Sequence, residues 1–274
     1  MSTPGATKTT SSKGTRFYTW RNENYWSVTT IISGGLPKQA LIYWSANQVA
    51  EYVVENQDKV WGLLRPTADT DEARQQARDD TYDFLKRTPW RARDKAADLG
   101  TAIHEATEAY VLGKPMPPWT PLVKPRMVQF ERFLLDYWPE YQEGMVEAPV
   151  FNRTERYAGT LDAIVHIGGR RLVLDTKSGK GIYPDVGLQL AAYRHAEFIG
   201  APDGSEQPMP ETDGAAALHL RDDGYDLIEV RADEQIFKAF LFVREVYRFK
   251  IETEKTVLLG NVPAGDWAQE AMPV

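Results

Sequence analysis

Between residues 159 and 180 the chain reads GTLDAIVHIGGRRLVLDTKSGK, two alternating runs around Gly168-Gly169. In the first run Leu161, Ala163, Val165 and Ile167 alternate with Asp162, Ile164 and His166. In the second, Leu172, Leu174 and Thr176 alternate with Val173, Asp175 and Lys177. A two-residue period on either side of a glycine pair predicts a β-hairpin. A type I′ turn needs φ > 0 at both central residues, which glycine supplies, so Ile167 is expected to pair with Arg170. Counting back from that pair sets Asp162 opposite Asp175, with Cβ atoms roughly 4.5–5.5 Å apart, where like charges repel unless a cation lies between them. Lys177 falls on the same face as Asp175, about 6–7 Å along the strand.

Elsewhere the period lengthens. Helices are predicted over 39–56, with Leu41, Trp44, Val49, Tyr52 and Val53 on an apolar side, over 71–86, over 91–112 with Gly113 and Pro115 as its stop, and over 123–138. Ahead of them, WSVTTII is expected to be extended and to leave through Gly34-Gly35 and Pro37. MVEAPVF predicts a strand of the same sheet as the hairpin, with Glu147 pointing away from Val146 and Ala148. A helix is predicted from about 184 to 200, because proline suits an early helical position and glycine a stop. On it Gln189 and Tyr193 share a face, directed back towards Asp175 and Lys177. Residues 201–213 read as a loop, AAALHL and YDLIEV as a second hairpin turning at Asp222-Asp223-Gly224, and 233–254 as a long helix. Residues 1–15, rich in Ser, Thr and Gly, are expected to be disordered.

With 42% hydrophobic residues in 274, the chain can bury a sizeable core. No apolar run approaches the roughly 18 residues that cross a bilayer and the start lacks the apolar segment of a secretory signal, so a cytoplasmic protein without membrane association is expected. The lack of cysteine excludes disulfides, cysteine-held zinc and iron–sulfur clusters. A metal would then be held by carboxylates, imidazole, backbone carbonyls and water, a set that suits magnesium or manganese. A net charge of −7 argues against coating nucleic acid with the whole surface but leaves room for a local basic channel. Lys86, Arg87, Arg91, Arg93 and Lys95 form such a concentration, opposed only by Asp94. Trp20, Tyr25, Trp26, Tyr43 and Trp44 are numerous enough for base stacking, although core packing is the expectation. Neither a Walker loop nor a dinucleotide fingerprint is present.

Two aspartates and a lysine on one face suit metal-assisted attack on a phosphodiester or another anionic substrate, the plain alternative being a solvated hairpin face. Four short motifs in order sharpen this: His104-Glu105 within GTAIHE, Asp162 within GTLD, Asp175-Thr176-Lys177, and Gln189 four residues before Tyr193. Their order and settings over about residues 97–200 resemble the RecB-like branch of the PD-(D/E)XK nuclease superfamily, which includes CRISPR-associated and phage recombination exonucleases. The resemblance implies an α/β fold, a central mixed sheet flanked by helices in a restriction-endonuclease-like core. Residues 16–274 would form one nuclease domain, with 16–95 as a helical elaboration and 96–256 as the core. It further implies a metal-dependent DNA exonuclease of recombination or DNA processing, with Mg2+ or Mn2+ held by His104, Asp162, Asp175 and the carbonyl of Thr176. In that scheme Lys177 activates water and stabilises the phosphorus centre, while Gln189 and Tyr193 support the site and orient DNA. Glu105 and Glu147 are expected to support the site rather than bind metal. DNA is the implied partner, with a recombinase or single-strand-annealing protein as a second. The competing readings are a structure-selective endonuclease on the same fold and a catalytically silent DNA-binding accessory of recombination or CRISPR adaptation. Two departures matter: the iron–sulfur cluster common in CRISPR-associated members cannot form here, and RecB's fused helicase is absent.

Overall fold

The structure is a computed structural model that describes residues 7–10 and 16–261. In chain order its first elements are strands β1 (Thr7–Thr10), β2 (Arg16–Trp20) and β3 (Glu23–Ser27) and helices α1 (Val28–Gly35), α2 (Gln39–Glu55) and α3 (Gln57–Leu63). Three longer helices and strands follow as α4 (Asp71–Lys86), α5 (Thr88–Val111), α6 (Lys124–Tyr137), β4 (Glu140–Asn152), β5 (Tyr157–Ile167) and β6 (Arg170–Lys177). The chain continues with α7 (Asp185–Arg194), β7 (Phe198–Gly200), β8 (Glu206–Pro208), β9 (Gly214–Leu220), β10 (Tyr225–Val230) and α8 (Glu234–Arg248). The architecture is α/β, a mixed ten-stranded sheet flanked by helices. Among the described residues no helix is long and apolar enough to cross a membrane.

The expected hairpin forms in the expected register. Gly168 and Gly169 both have positive φ, Ile167 pairs with Arg170, and the ladder runs back to Ala163 opposite Leu174. Strand alternation then sends side chains into two layers. Ala163, Val165, Leu172 and Leu174 pack against Ile103 and Ala106 of α5 and Met127, Phe130 and Phe133 of α6. Ile164 and Val173 pack on the other face with α1, α7 and α8, through Ile31, Ile32, Leu190, Phe240 and Val243. β9, GAAALHL, is buried along its whole length; its three alanines let both helical layers close on the sheet.

β5 is the axis of the sheet. One of its edges is taken by β4 from Tyr157 to His166. The other edge is shared: β3 pairs in parallel with Tyr157 and Ala158, and β6 pairs antiparallel with residues 163–167. Between them, residues 159–162 have no strand partner on that edge, so the sheet forks there.

Several expectations are corrected. The segment after Tyr25 is not extended throughout: VTTIISGG is α1, because Val28, Ile31, Ile32 and Gly35 lie at helical spacing and are buried. Tertiary burial outweighs the strand propensity of β-branched residues. Residues 16–95 are not wholly helical, since β2 and β3 extend the sheet. α7 stops at Arg194 rather than near 200, because Phe198 stacks on Phe151 at 5.2 Å and Phe198–Gly200 pairs with β4 as β7. α2 buries none of its residues, and Leu41 is half exposed. Trp20 and Tyr25 are core residues, as expected, whereas Tyr43 is exposed. Within the N-terminal segment expected to be disordered, Thr7–Thr10 pairs with β2, and residues 1–6 and 11–15 lie outside the described residues.

Two glycines give opposite expectations. A Cβ on Gly35 would sit 2.4 Å from the backbone oxygen of Val243 in α8, an atom that cannot move aside, whereas Gly62 in α3 has open space around it. Gly35→Ala is expected to destabilise by about 1–3 kcal/mol. Gly62→Ala should stabilise by about 0.4–1 kcal/mol. Urea denaturation of both variants checks this, and equal stabilities would disprove the close α1–α8 packing.

Candidate metal centre

The fork in the sheet is where the ionisable side chains gather. In the gap left free on β5, Asp162 turns its carboxylate to the neighbouring strand and accepts the backbone N–H of Thr176 at 2.6 Å. The hairpin ladder therefore gives way, one step past Ala163 and Leu174, to a side-chain contact. Asp162 and Asp175 are the next residues of the two strands, and the charge of Asp175 acts on Asp162.

Glu147 arrives from the other side of β5. Val146 pairs with Ala163 and Ala148 with Leu161, so Glu147 stands across from Asp162. Just upstream β4 bulges: five residues, from Tyr141 to Val146, advance against two on β5. Glu147 itself has φ 49°, a left-handed conformation that costs a non-glycine residue on the order of 1–3 kcal/mol. α5 supplies the third group. His104 Nδ1 lies 3.5 Å from both Glu147 Oε1 and Asp162 Oδ2. Ligand atoms of His104, Glu147 and Asp162 all fall within 4.8 Å of one another.

Asp175 has a different setting. Its side chain is 1% exposed and lies 2.8–2.9 Å from Lys177 Nζ. Gln189 donates from Nε2 to Asp175 Oδ1 at 2.8 Å and accepts from Lys177 at 3.3 Å through Oε1. The same Nε2 lies 3.3 Å from the Tyr193 hydroxyl. Asp175 Oδ2 faces the ammonium but makes no well-directed hydrogen bond, so one lone-pair set of a buried carboxylate is offset by charge alone. Tyr193 reaches this network because residue 159 is glycine: a Cβ there would stand 2.5 Å from its ring.

The titration of the group follows from crowding. Burial pushes Asp162 up, the charge of Asp175 adds to this and exceeds the opposing effect of His104, and its pKa reaches about 7. Burial alone would lower His104, but the hydrogen bond to Glu147 and the charges of Asp162, Glu147 and Asp175 outweigh it and raise the imidazole to about 9. Burial and the Asp162 charge likewise raise the Tyr141 hydroxyl above its ordinary value. For Asp162 and Tyr141 burial is the larger cause and neighbouring negative charge adds to it, whereas for His104 the negative neighbours overcome burial.

A divalent cation fits this arrangement. A cavity of about 20 Å³ is bordered by Glu147, Asp162, Thr176 and Glu108, room for a water or a small ion. One imidazole with two carboxylates suits manganese better than magnesium, since imidazole prefers the later first-row metals.

The structure thus gathers His104, Asp162, Asp175, Thr176, Lys177, Gln189 and Tyr193 into one region, with a different division of roles. Glu147, expected only to support the site, joins His104 and Asp162 as a ligand-capable group, while Asp175 is held by Lys177 and Gln189. Thr176 takes part through its N–H. Glu105 is exposed on α5 and outside the group. Gly100, a turn before His104 on α5, has Ser178 Oγ at 3.9 Å from a Cβ position, an ordinary contact. A signal for Glu147 was available: if RTER is a four-residue hairpin loop, Asn152 pairs with Tyr157 and counting back sets residue 147 against 162. The basic stretch is tied into the fold. Arg91 stacks 4.2 Å over Phe84 and bonds to Phe84 O and Thr88 Oγ1, and Arg93 pairs with Asp94.

The chain matches no protein-family model and no curated protein.

Two outcomes are expected of the free and loaded site. An acid whose folded pKa is raised contributes stability below its unfolded value near 4 that is lost as pH rises through 7; for His104 the loss runs from about 6.5 through 9. In chelator the wild type should therefore lose stability relative to Asp162→Asn as pH rises from about 5 to 9; urea titrations at three pH values measure the difference, and a difference that stays constant refutes the crowded site. Manganese at about 100 times its dissociation constant should stabilise the wild type by roughly 2.7 kcal/mol. Glu147→Gln should lose most of that gain, and thermal melts in which it keeps the full gain would return Glu147 to a supporting role.

Proposed function

We propose that the protein is a divalent-metal-dependent deoxyribonuclease with a RecB-like, restriction-endonuclease-like core, hydrolysing phosphodiester bonds and acting as an exonuclease. The observation that carries this reading is the meeting, at one fork in the sheet, of the His104–Glu147–Asp162 group with the Asp175–Lys177–Gln189 network. The order of the four sequence motifs supports it independently.

His104, Glu147 and Asp162 would hold the cation, with Asp175 completing the negative field from the adjacent strand. When bound, a cation in such a site lowers the pKa of water and offsets phosphate charge. The rest falls to the chain. Lys177 presents an ammonium at the edge of a carboxylate cluster, fixed in place by Asp175 and Gln189. From there it attracts an anionic phosphate and offsets the charge that grows on its oxygens as the water attacks. Gln189 spans Asp175 and Lys177, and Tyr193 steadies Gln189 from behind. These two orient the lysine and the carboxylate, and neither is placed as a ligand.

Substrate approach is supported by a cleft of about 270 Å³ beside Lys177. Thr29, Ile32, Lys38, Gly181, Ile182, Tyr183, Asp185, Val186 and Gln189 line it together with Lys177, and Lys38 is paired with Asp185 at 3.1 Å. The Lys177 ammonium beside hydroxyl and apolar groups suits a nucleic-acid strand, whose phosphates and sugar-base units alternate.

The test uses end-labelled linear duplex, linear single strand and closed circular DNA, each with and without manganese. Linear DNA is expected to be degraded from its ends and closed circles left intact. Lys177→Ala and Asp175→Ala should each lower the rate by about 10²–10³-fold. Cutting of closed circles would replace the exonuclease by the endonuclease reading, and a wild type inert on all three DNAs would overturn the enzyme.

A further inference from the structure

His219 stands outside the metal centre but is joined to its far side. It is the β9 residue paired with Lys177, where the ladder between β6 and β9 ends. Its ring is 5% exposed, with Nε2 2.8 Å from the carbonyl oxygen of Gly179 and Nδ1 3.4 Å from Arg221 Nη1. Arginine can only donate, so Nδ1 accepts and the ring proton sits on Nε2, donated to Gly179. Arg221 is itself held by Asp226 and Asp223.

Gly179 lies in the connection 178–184 between β6 and α7. Among the described residues, the bond from His219 is the only hydrogen bond outside the sheet ladder that reaches residues 178–182. Packing does not replace it at the two glycines, since Gly179 and Gly181 both have open space where a Cβ would be. Lys180, between them, is exposed. Yet this connection forms one wall of the cleft that runs up to Lys177 and Gln189. This glycine-bearing wall is thus packed on the core at Ile182 and tied by a hydrogen bond to the end of the sheet at Gly179.

We propose that His219 is a positioning residue: its hydrogen bond to Gly179 fixes the connection after Lys177, and through it the wall against which a substrate strand is seated. The seating role rests on the nuclease reading above; the tie itself does not. Three variants separate the effects. His219→Phe keeps the ring volume without a donor, His219→Asn carries a donor too short to reach Gly179, and His219→Gln sets an amide N–H near the position of Nε2. Tryptic cleavage after Lys180 under native conditions reads the tie directly, because such cleavage follows the population of the opened segment. Phe and Asn variants should be cut there roughly fivefold faster than wild type, the effect of losing one hydrogen bond. In steady-state DNA cleavage they should show a KM raised by a similar factor with kcat nearly unchanged, and Gln should restore both measures. Unchanged protection of Lys180 in the Phe and Asn variants, a Gln variant no better than Phe, or a fall in kcat at constant KM each overturns the assignment. If Phe does not fold, Asn decides; if the wild type cuts no DNA, the nuclease reading falls and proteolysis still decides the tie.

Discussion

Three carboxylates, Glu147, Asp162 and Asp175, are drawn together where the sheet forks, and among the described residues two groups that can carry positive charge meet them. His104 faces the first two and Lys177 the third. Two unit charges about 4 Å apart near a protein surface interact by roughly 4 kcal/mol, so like charges at this spacing are a standing cost to the fold. The pKa of Asp162 is raised first by burial and then by the charge of Asp175, and that of His104 by its negative neighbours. A left-handed Glu147 adds backbone strain at the same point. Natural folds keep such arrangements where the charge has a use.

The rest of the architecture makes the crowding possible. β5 shares one edge between β3 and β6, and the unpaired stretch between them opens a gap in an otherwise continuous sheet. From one side α5 delivers His104; from the other α7 delivers Gln189 and Tyr193, the latter seated on the bare backbone of Gly159. Both helices are anchored far from the gap by aromatic and aliphatic packing, α5 with Phe130 and Phe133 of α6, and α7 with Phe240 of α8. The polar groups are therefore positioned by rigid apolar layers.

The site divides into two halves with different chemistry. His104, Glu147 and Asp162 bring ligand-capable atoms within 4.8 Å of one another, Glu147 and Asp162 also bordering a small cavity, whereas Asp175 is committed to a lysine and an amide. Asp175, almost wholly buried, has a cation 2.8 Å away and an amide donor on its other oxygen. The division also places the lysine at the boundary between cluster and cleft, where an ammonium can serve an anionic substrate without dissolving the network that holds it.

The hairpin register, the Lys177–Asp175 contact and the span of α4 were legible in the sequence, because each depends on neighbours in the chain. A glycine pair sets its own turn, a two-residue period sets two faces, and Thr70 caps α4 at a recognisable boundary. The position of Glu147 opposite Asp162 was legible only by counting back from the 153–156 loop, because apolar alternation by itself does not reveal the pairing of β4 with β5. The helical state of α1 escaped for a related reason: β-branched residues favour strands locally, and only packing on α8 reverses that preference. In the basic stretch, the stacking of Arg91 on Phe84 was not legible, because it joins the end of α4 to α5, while Lys86, Arg87, Arg93 and Lys95 are exposed. Local patterning determined which ionisable residues lie on one face of the hairpin. Which of them meet, and which restrain one another, was decided by contacts between segments distant in the chain.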